Sequence, residues 1–126
     1  MLEIKPCLEV QPVAAFCRAS GRVYSGAFFI YQAMNRGEEL GAALFEMQGD
    51  RIEAVAYRTT QPEDHWLLDG VLRAGLNYAA EHGIINGVLG VGFLESAYSL
   101  LEKLNLPRSS VFNIHNFFSK YKNCEL

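Results

Sequence analysis

The sequence predicts a single α+β domain with a mixed sheet, on three observations. Three extended segments follow one another between residues 23 and 59, separated only by short turns. A long helical pattern with one apolar stripe comes next, over 64–82, and a buried strand follows at 84–91. Short turns make antiparallel neighbours, whereas a strand–helix–strand crossover makes strands 51–59 and 85–91 run parallel. At 126 residues, 50% of them hydrophobic, the chain suits one domain over 1–126 whose core needs neither disulfide nor metal.

Each element has its own signal. LEIKPCL (2–8) is a short first strand interrupted at Pro6, and 9–19 is a short helix with Val13, Phe16 and Cys17 at i, i+3, i+4. Ser20-Gly21 stops it. Residues 23–34 form the first strand of a three-strand meander, turned by Asn35-Arg36-Gly37. Residues 40–48 form the second, closed by Gly49-Asp50. Residues 51–59 form the third, with Ile52, Ala54 and Ala56 alternating with Glu53, Val55 and Tyr57. In the long helix Leu68, Val71, Leu72, Gly75, Leu76 and Ala79 recur at helical spacing, and small Gly75 and Ala79 permit close packing on a sheet. His82-Gly83 ends it. Residues 93–105 read as a second amphipathic helix with Leu94, Ala97, Leu101 and Leu104 inward, halted before Pro107. Residues 110–114 make a final strand, and Asn116 caps a terminal helix carrying Phe117, Tyr121 and Cys124.

Composition excludes several functions. Eleven basic against 14 acidic residues, net −3, leave no electrostatic footprint for nucleic acid, and Lys120 and Lys122 beside Glu125 are too few to make one. No apolar run approaches the roughly 18 residues of a membrane span, and the N-terminus lacks a signal-peptide pattern. A cytoplasmic protein is expected. Cys7, Cys17 and Cys124 with His65, His82 and His115 form no metal-ligand spacing, so no metal is expected and Cys7 and Cys17 read as packing residues.

Two stretches carry a family resemblance. YAAEHGI (78–84) resembles the Y-A-x-E-x-G-I end of the central helix in GNAT acetyltransferases, and LLEKLNL (100–106) is similar to that family's L-Y-E-K-L-G-F. The resemblance covers about residues 22 to 106. It implies a GNAT-like, acyl-CoA N-acyltransferase-like fold with a three-strand meander, and acetyl-CoA as cofactor. It also implies a pyrophosphate loop, Gln/Arg-x-x-Gly-x-Gly/Ala, which an ungapped match places on residues 63–68. There Glu63 takes the cation or amide position, and Trp66 and Leu68 take the small ones. Carboxylates repel a diphosphate, and a Trp blocks the backbone approach that glycine allows. The same stretch fits a capping box, Thr60-Gln61-Pro62-Glu63, with Pro62 in the first helical turn.

The family's acid tyrosine falls on Leu101, its helix-opening Asn on Leu94 and its strand carboxylate on Val55. Tyr98, one turn before Leu101, and Glu53, two residues before Val55, are the catalytic candidates left. The bland alternatives are a packing tyrosine and a solvated strand carboxylate, a status Glu46 shares. The segment before the meander is short, and the family's closing hairpin is replaced by one strand and a helix.

Three functional readings follow. The first is an acetyltransferase-like protein, divergent or catalytically silent, that holds a small ligand in the cleft between splayed strands. Tyr57, Arg58, Thr59 and Thr60 would line that cleft, with Trp66 at the helix start. The second is an active acyl-CoA-dependent N-acetyltransferase with an atypical cofactor loop, whose main-chain N–H groups polarise the thioester while a base takes the amine proton. The third is a homodimeric interaction module using Phe117, Phe118 and Tyr121.

Overall fold

The computed structural model describes residues 2–101 and 111–120. Its strands are β1 (Leu2–Cys7), β2 (Phe28–Asn35), β3 (Glu38–Gln48), β4 (Arg51–Thr59), β5 (Asn86–Leu89) and β6 (Phe112–Asn113). Its helices are α1 (Val10–Ala19), α2 (His65–Glu81), α3 (Val91–Ser96), α4 (Tyr98–Leu101) and α5 (Ile114–Lys120). The six strands lie in one sheet in chain order. Strands β1 to β4 are antiparallel, β4 and β5 pair parallel from Arg51↔Asn86 to Ala54↔Leu89, and β6 returns antiparallel to β5. The crossover through α2 therefore has the direction the sequence predicts. Among the described residues no helix is long and apolar enough to cross a membrane.

Helices cover both faces. On one, α2 lays Leu68, Val71, Leu72 and Leu76 against Phe29, Ala33, Ala43, Phe45, Ile52 and Ala54. Each of those four helix side chains is fully buried, a burial that stabilises by roughly 1.5–3 kcal/mol per side chain. On the other face, Val13, Phe16 and Cys17 of α1 meet Phe28, Ile30, Ala42, Leu44 and Val55. Between β2 and β3, Arg36 (φ 54) and Gly37 (φ 82) both take left-handed conformations, the requirement of a tight hairpin turn.

Several boundaries differ from the sequence expectation for definable reasons. The first meander strand starts at Phe28 rather than at 23. Residues 22–25 instead run as irregular chain into a turn at 26–27, in which Ser25 Oγ accepts from Ala27 N–H, Tyr24 packs on the α1-side core and Val23 stands in solvent. The helix expected over 93–105 breaks at Ala97, which leaves helical dihedrals (φ −114, ψ 13) and separates α3 from α4. Phe93, Ala97 and Leu100 face inward, with Leu94 only half-buried; the Leu101 side chain and Leu104 lie outside what the structure describes. The last helix starts at Ile114, capped by Asn113 Oδ1 accepting from Asn116 N–H, so Asn116 is not the cap. Phe117 is buried and Phe118 half-buried, so these aromatics do not form an exposed interaction surface; Tyr121 and Cys124 lie outside the described residues.

The alternation expected along 51–59 is also broken. Leu44 opposes Ala56 and Phe45 opposes Ala54, which leaves Val55 as an extra residue, a β-bulge. Val55 and Ala56 consequently both pack on the α1 side, and Tyr57 moves to the α2 side with Ile52 and Ala54.

Gly75 is where α2 and the sheet touch most closely: a Cβ there would land in the Phe45 ring. That ring is itself pinned by stacking on Phe29, centroids 5.3 Å apart. Gly→Ala in an ordinary helix interior gains about 1 kcal/mol. Here Gly75→Ala is expected to lower stability instead, because overpacking costs roughly 1–3 kcal/mol. Urea unfolding of the variant checks it, and an unchanged or raised midpoint would contradict the packing described.

Candidate functional site

The chain places its candidate site where β4 and β5 part. Their ladder ends at Ala54↔Leu89, and one further bond, Gly90 N–H to Ala54 O at 2.9 Å, closes it. Beyond that point α3 occupies the widening gap. Gly92 lies so close to β4 that a Cβ would come within 2.8 Å of Val55 O. Ser96 Oγ accepts from Tyr57 N–H at 3.0 Å and donates to Phe93 O at 3.2 Å. The main-chain donor at the splay is thus satisfied from within. On the α1 side a cleft of about 350 Å³ remains, lined by Phe16, Ser20, Val55, Tyr57, Arg58 and Gly92 among others.

Both arginines near this cleft are engaged. Glu46 and Glu53 stand directly opposite each other across β3 and β4. Arg22 bridges them, NH1 to Glu46 at 3.0 Å and NH2 to Glu53 at 2.7 Å, with each carboxylate side chain only 16% exposed. Gly90 makes room for the Glu53 carboxylate, because a Cβ there would collide with it. Glu53 is therefore not a solvated strand residue, and as a base it would first have to release a guanidinium. The buried Cys17 thiol lies within the same field: burial raises its pKa most, Glu46 adds to that, and Arg22 opposes it. Arg58 grips Glu39 in two-point fashion, Nε at 2.7 Å and NH2 at 2.8 Å, while its Cζ sits 4.2 Å from the Phe16 ring centre. That grip holds the Glu39 carboxyl below its ordinary value, against the opposing effect of burial.

Tyr57 carries a different feature. Its ring packs edge-on to Phe93 on the α2 side, and its hydroxyl is buried without a hydrogen-bond partner. Burial pushes the phenol up, with Asp64 adding to the shift. Thr59 Oγ1 is close enough to pull the other way, but its hydroxyl donates to Leu40 O and accepts from Gln61 N–H. Thr59 and Thr60 both turn toward Leu40 O and do not line the cleft. Tyr98 is 63% exposed beside Val91, Leu94 and Glu95, so it is neither a packing residue nor a member of the cleft.

No protein-family model matches this sequence, and no curated protein matches it either. Solved structures do. The ribosomal-protein-S18-alanine N-acetyltransferase from Escherichia coli superposes with a TM-score of 0.59 at 14% identity, covering 87% of this chain and 80% of that one. The IAA acetyltransferase from Bacillus cereus ATCC 14579 gives a TM-score of 0.56 at 16% identity, covering 82% and 73%. The chain has the GNAT acetyltransferase fold.

In that fold α2 is the helix whose start the sequence resemblance assigns to the coenzyme diphosphate, so its fit can be tested on this chain. Asp64, not Thr60, is the N-cap: its Oδ1 accepts from Trp66 N–H at 3.1 Å and from Leu67 N–H at 3.3 Å. Pro62 and Glu63 lie in the turn before the helix rather than in its first turn. A shallow depression of about 560 Å³ does open here, but it is lined by Gln61, Pro62, Glu63, Asp64, His65 and Trp66. The amides a diphosphate needs are already taken by a carboxylate, and a second carboxylate stands beside them. Trp66 is 51% exposed against His65, ring centres 4.5 Å apart, while Leu68 is buried in the core. The obstacle is therefore the Asp64 charge more than the Trp66 bulk. Acetyl-CoA does not fit this helix start. No group of three or more potential metal ligands gathers among the described residues. Ser96 and Arg22 escaped the sequence reading because their roles depend on where α3 and the segment after α1 fold back; Asp64 was legible as a carboxylate at the helix start but not as its cap.

Two expectations follow from these charges. Arg22→Ala leaves two half-buried carboxylates facing each other, so its thermal midpoint should fall, and Glu46→Gln in the same background should recover much of the loss. A midpoint insensitive to Arg22→Ala in calorimetry would contradict the bridge. For Glu39, a lowered folded pKa means that its stabilisation is present above the ordinary value of 4.5 and is lost as pH falls through the lower folded value. Glu39→Gln should therefore flatten the acid side of the stability profile, by no more than about 1 kcal/mol for so exposed a pair. Identical pH profiles for variant and parent would contradict it.

Proposed function

We propose that this chain is a catalytically silent GNAT-fold protein that holds a small, largely apolar ligand in the cleft between β4, α1 and α3, and transfers no acetyl group. The observation that carries this reading is the capture of the α2 N-terminal amides by Asp64. Satisfaction of Tyr57 N–H by Ser96 supports it, because an acyl-transfer site needs free main-chain donors at the splay. The engagement of Glu53 with Arg22 and the outward position of Tyr98 support it further, since neither offers a free acid or base beside the gap. The cleft itself speaks for a ligand of modest size: Phe16, Ala19, Val55, Ala56 and Gly92 give it an apolar lining, with Ser20, Arg58 and Ser96 as polar members.

Isothermal titration with acetyl-CoA tests the silent reading. No binding is expected for the parent protein, and no acetyl transfer to simple amines. Asp64→Gly combined with Ser96→Ala frees three amides and removes one charge, and should make acetyl-CoA binding measurable if the channel is blocked rather than absent. Micromolar affinity in the parent chain would restore the active-enzyme reading. For the ligand, a thermal-shift survey of small apolar acids and amides should find stabilisers whose effect Val55→Trp removes by filling the cleft. Stabilisers unaffected by that substitution would place the ligand elsewhere.

A further inference from the structure

The free edge of the sheet bears a self-complementary pattern. We infer that β1 pairs antiparallel with β1 of a second copy of this chain, about a twofold axis at Ile4, joining two sheets into one. This is independent of whether the cleft holds a ligand.

The sheet order leaves β1 and β6 at its edges, and β6 has two residues where β1 has six. Among the described residues β1 is hydrogen-bonded to β2 alone, so it presents a second row of main-chain groups outward, the arrangement that accepts an added strand. Its side chains alternate between the faces. Ile4 faces α2, packing on that core beside Gly70, so Leu2 and Pro6 share its side. Cys7 faces α1, so Glu3 and Lys5, both exposed, share its side.

A twofold axis normal to the sheet keeps each face on its own side, so opposed residues belong to the same face. Three registers then compete. Centring on Glu3 opposes two glutamates, and centring on Lys5 opposes two lysines. Centring on Ile4 sets Glu3 opposite the partner's Lys5 and Lys5 opposite the partner's Glu3, so one register alone gives two attractive pairs. On the other face the same register sets Leu2, 52% exposed in the single chain, against the partner's Pro6. Lys5 and Pro6 are residues that discourage indiscriminate edge pairing. In this register Lys5 is neutralised and Pro6 sits near the end of the paired stretch, so the edge admits its own copy and resists foreign strands.

Sedimentation of the full chain at roughly 0.1 mM, where even a small interface is populated, reads the outcome. The parent should sediment as a dimer. Glu3→Lys and Lys5→Glu should each weaken it about tenfold or more, since each turns two attractions into two repulsions. Mixed in equal amounts, the two variants should associate with each other, and the double variant Glu3→Lys/Lys5→Glu should regain the homodimer. A monomeric parent overturns the inference. So does a dimer that both single substitutions leave intact, or a failure of the mixture and of the double variant to associate.

Discussion

At Val55 the third meander strand carries one residue more than its neighbour can oppose, and the rest of the site depends on that surplus. The bulge puts Val55 and Ala56 together on the α1 face and delivers Tyr57 to the α2 face. It also falls one residue past the last β4–β5 pair, where the parallel ladder stops. A sheet that parts at this place exposes main-chain donors and acceptors on the inner edge of β4, and buried backbone groups do not stay unpaired. The chain answers with its own α3. Gly90 closes the ladder, Gly92 permits contact with Val55 O, and Ser96 caps Tyr57 N–H. Two glycines and a serine thus convert an opening into a packed joint.

The charges obey the same logic of internal satisfaction. Arg22 is spent on the opposed pair Glu46 and Glu53, Arg58 on Glu39, and the positive end of α2 on Asp64. None of these groups is left to meet an anionic coenzyme. The Tyr57 hydroxyl is an exception at the site, buried and unpartnered at the boundary between the joint and the α2 core. The chain has the GNAT fold, and the charged groups around its splay and at the start of α2 are engaged with one another. On the proposed reading, the remaining cleft holds a small ligand and no acetyl group is transferred.

The sequence made the architecture legible because its signals were periodic. The α2 stripe from Leu68 to Ala79, the short meander turns and the apolar run 84–91, of which 86–89 form the strand, identified the crossover and its parallel pair. Boundaries failed where one residue overrode the period. The Val55 bulge reversed the facing of Ala56 and Tyr57, and Ala97 split an amphipathic pattern into two short helices. At the α2 start, Thr60-x-x-Glu63 and Asp64 both have capping chemistry, and strings of residues do not say which oxygen reaches the amides; Asp64 does, because Thr59 and Thr60 are drawn to Leu40 O. Of the cleft residues, Tyr57 and Arg58 were legible from their place at the end of β4. Phe16, Ser20, Gly92 and Ser96 arrive from distant segments and left no local sign.

The most direct test of this account is the hydrogen exchange of the Tyr57 amide, followed by NMR on the parent chain and on Ser96→Ala. A closed joint predicts slow exchange in the parent, comparable to amides in the β3–β4 ladder, and a marked acceleration confined to the splay in Ser96→Ala. Fast exchange of Tyr57 in the parent, or protection that Ser96→Ala leaves unchanged, would mean that the gap between β4 and β5 is open and the central claim is wrong.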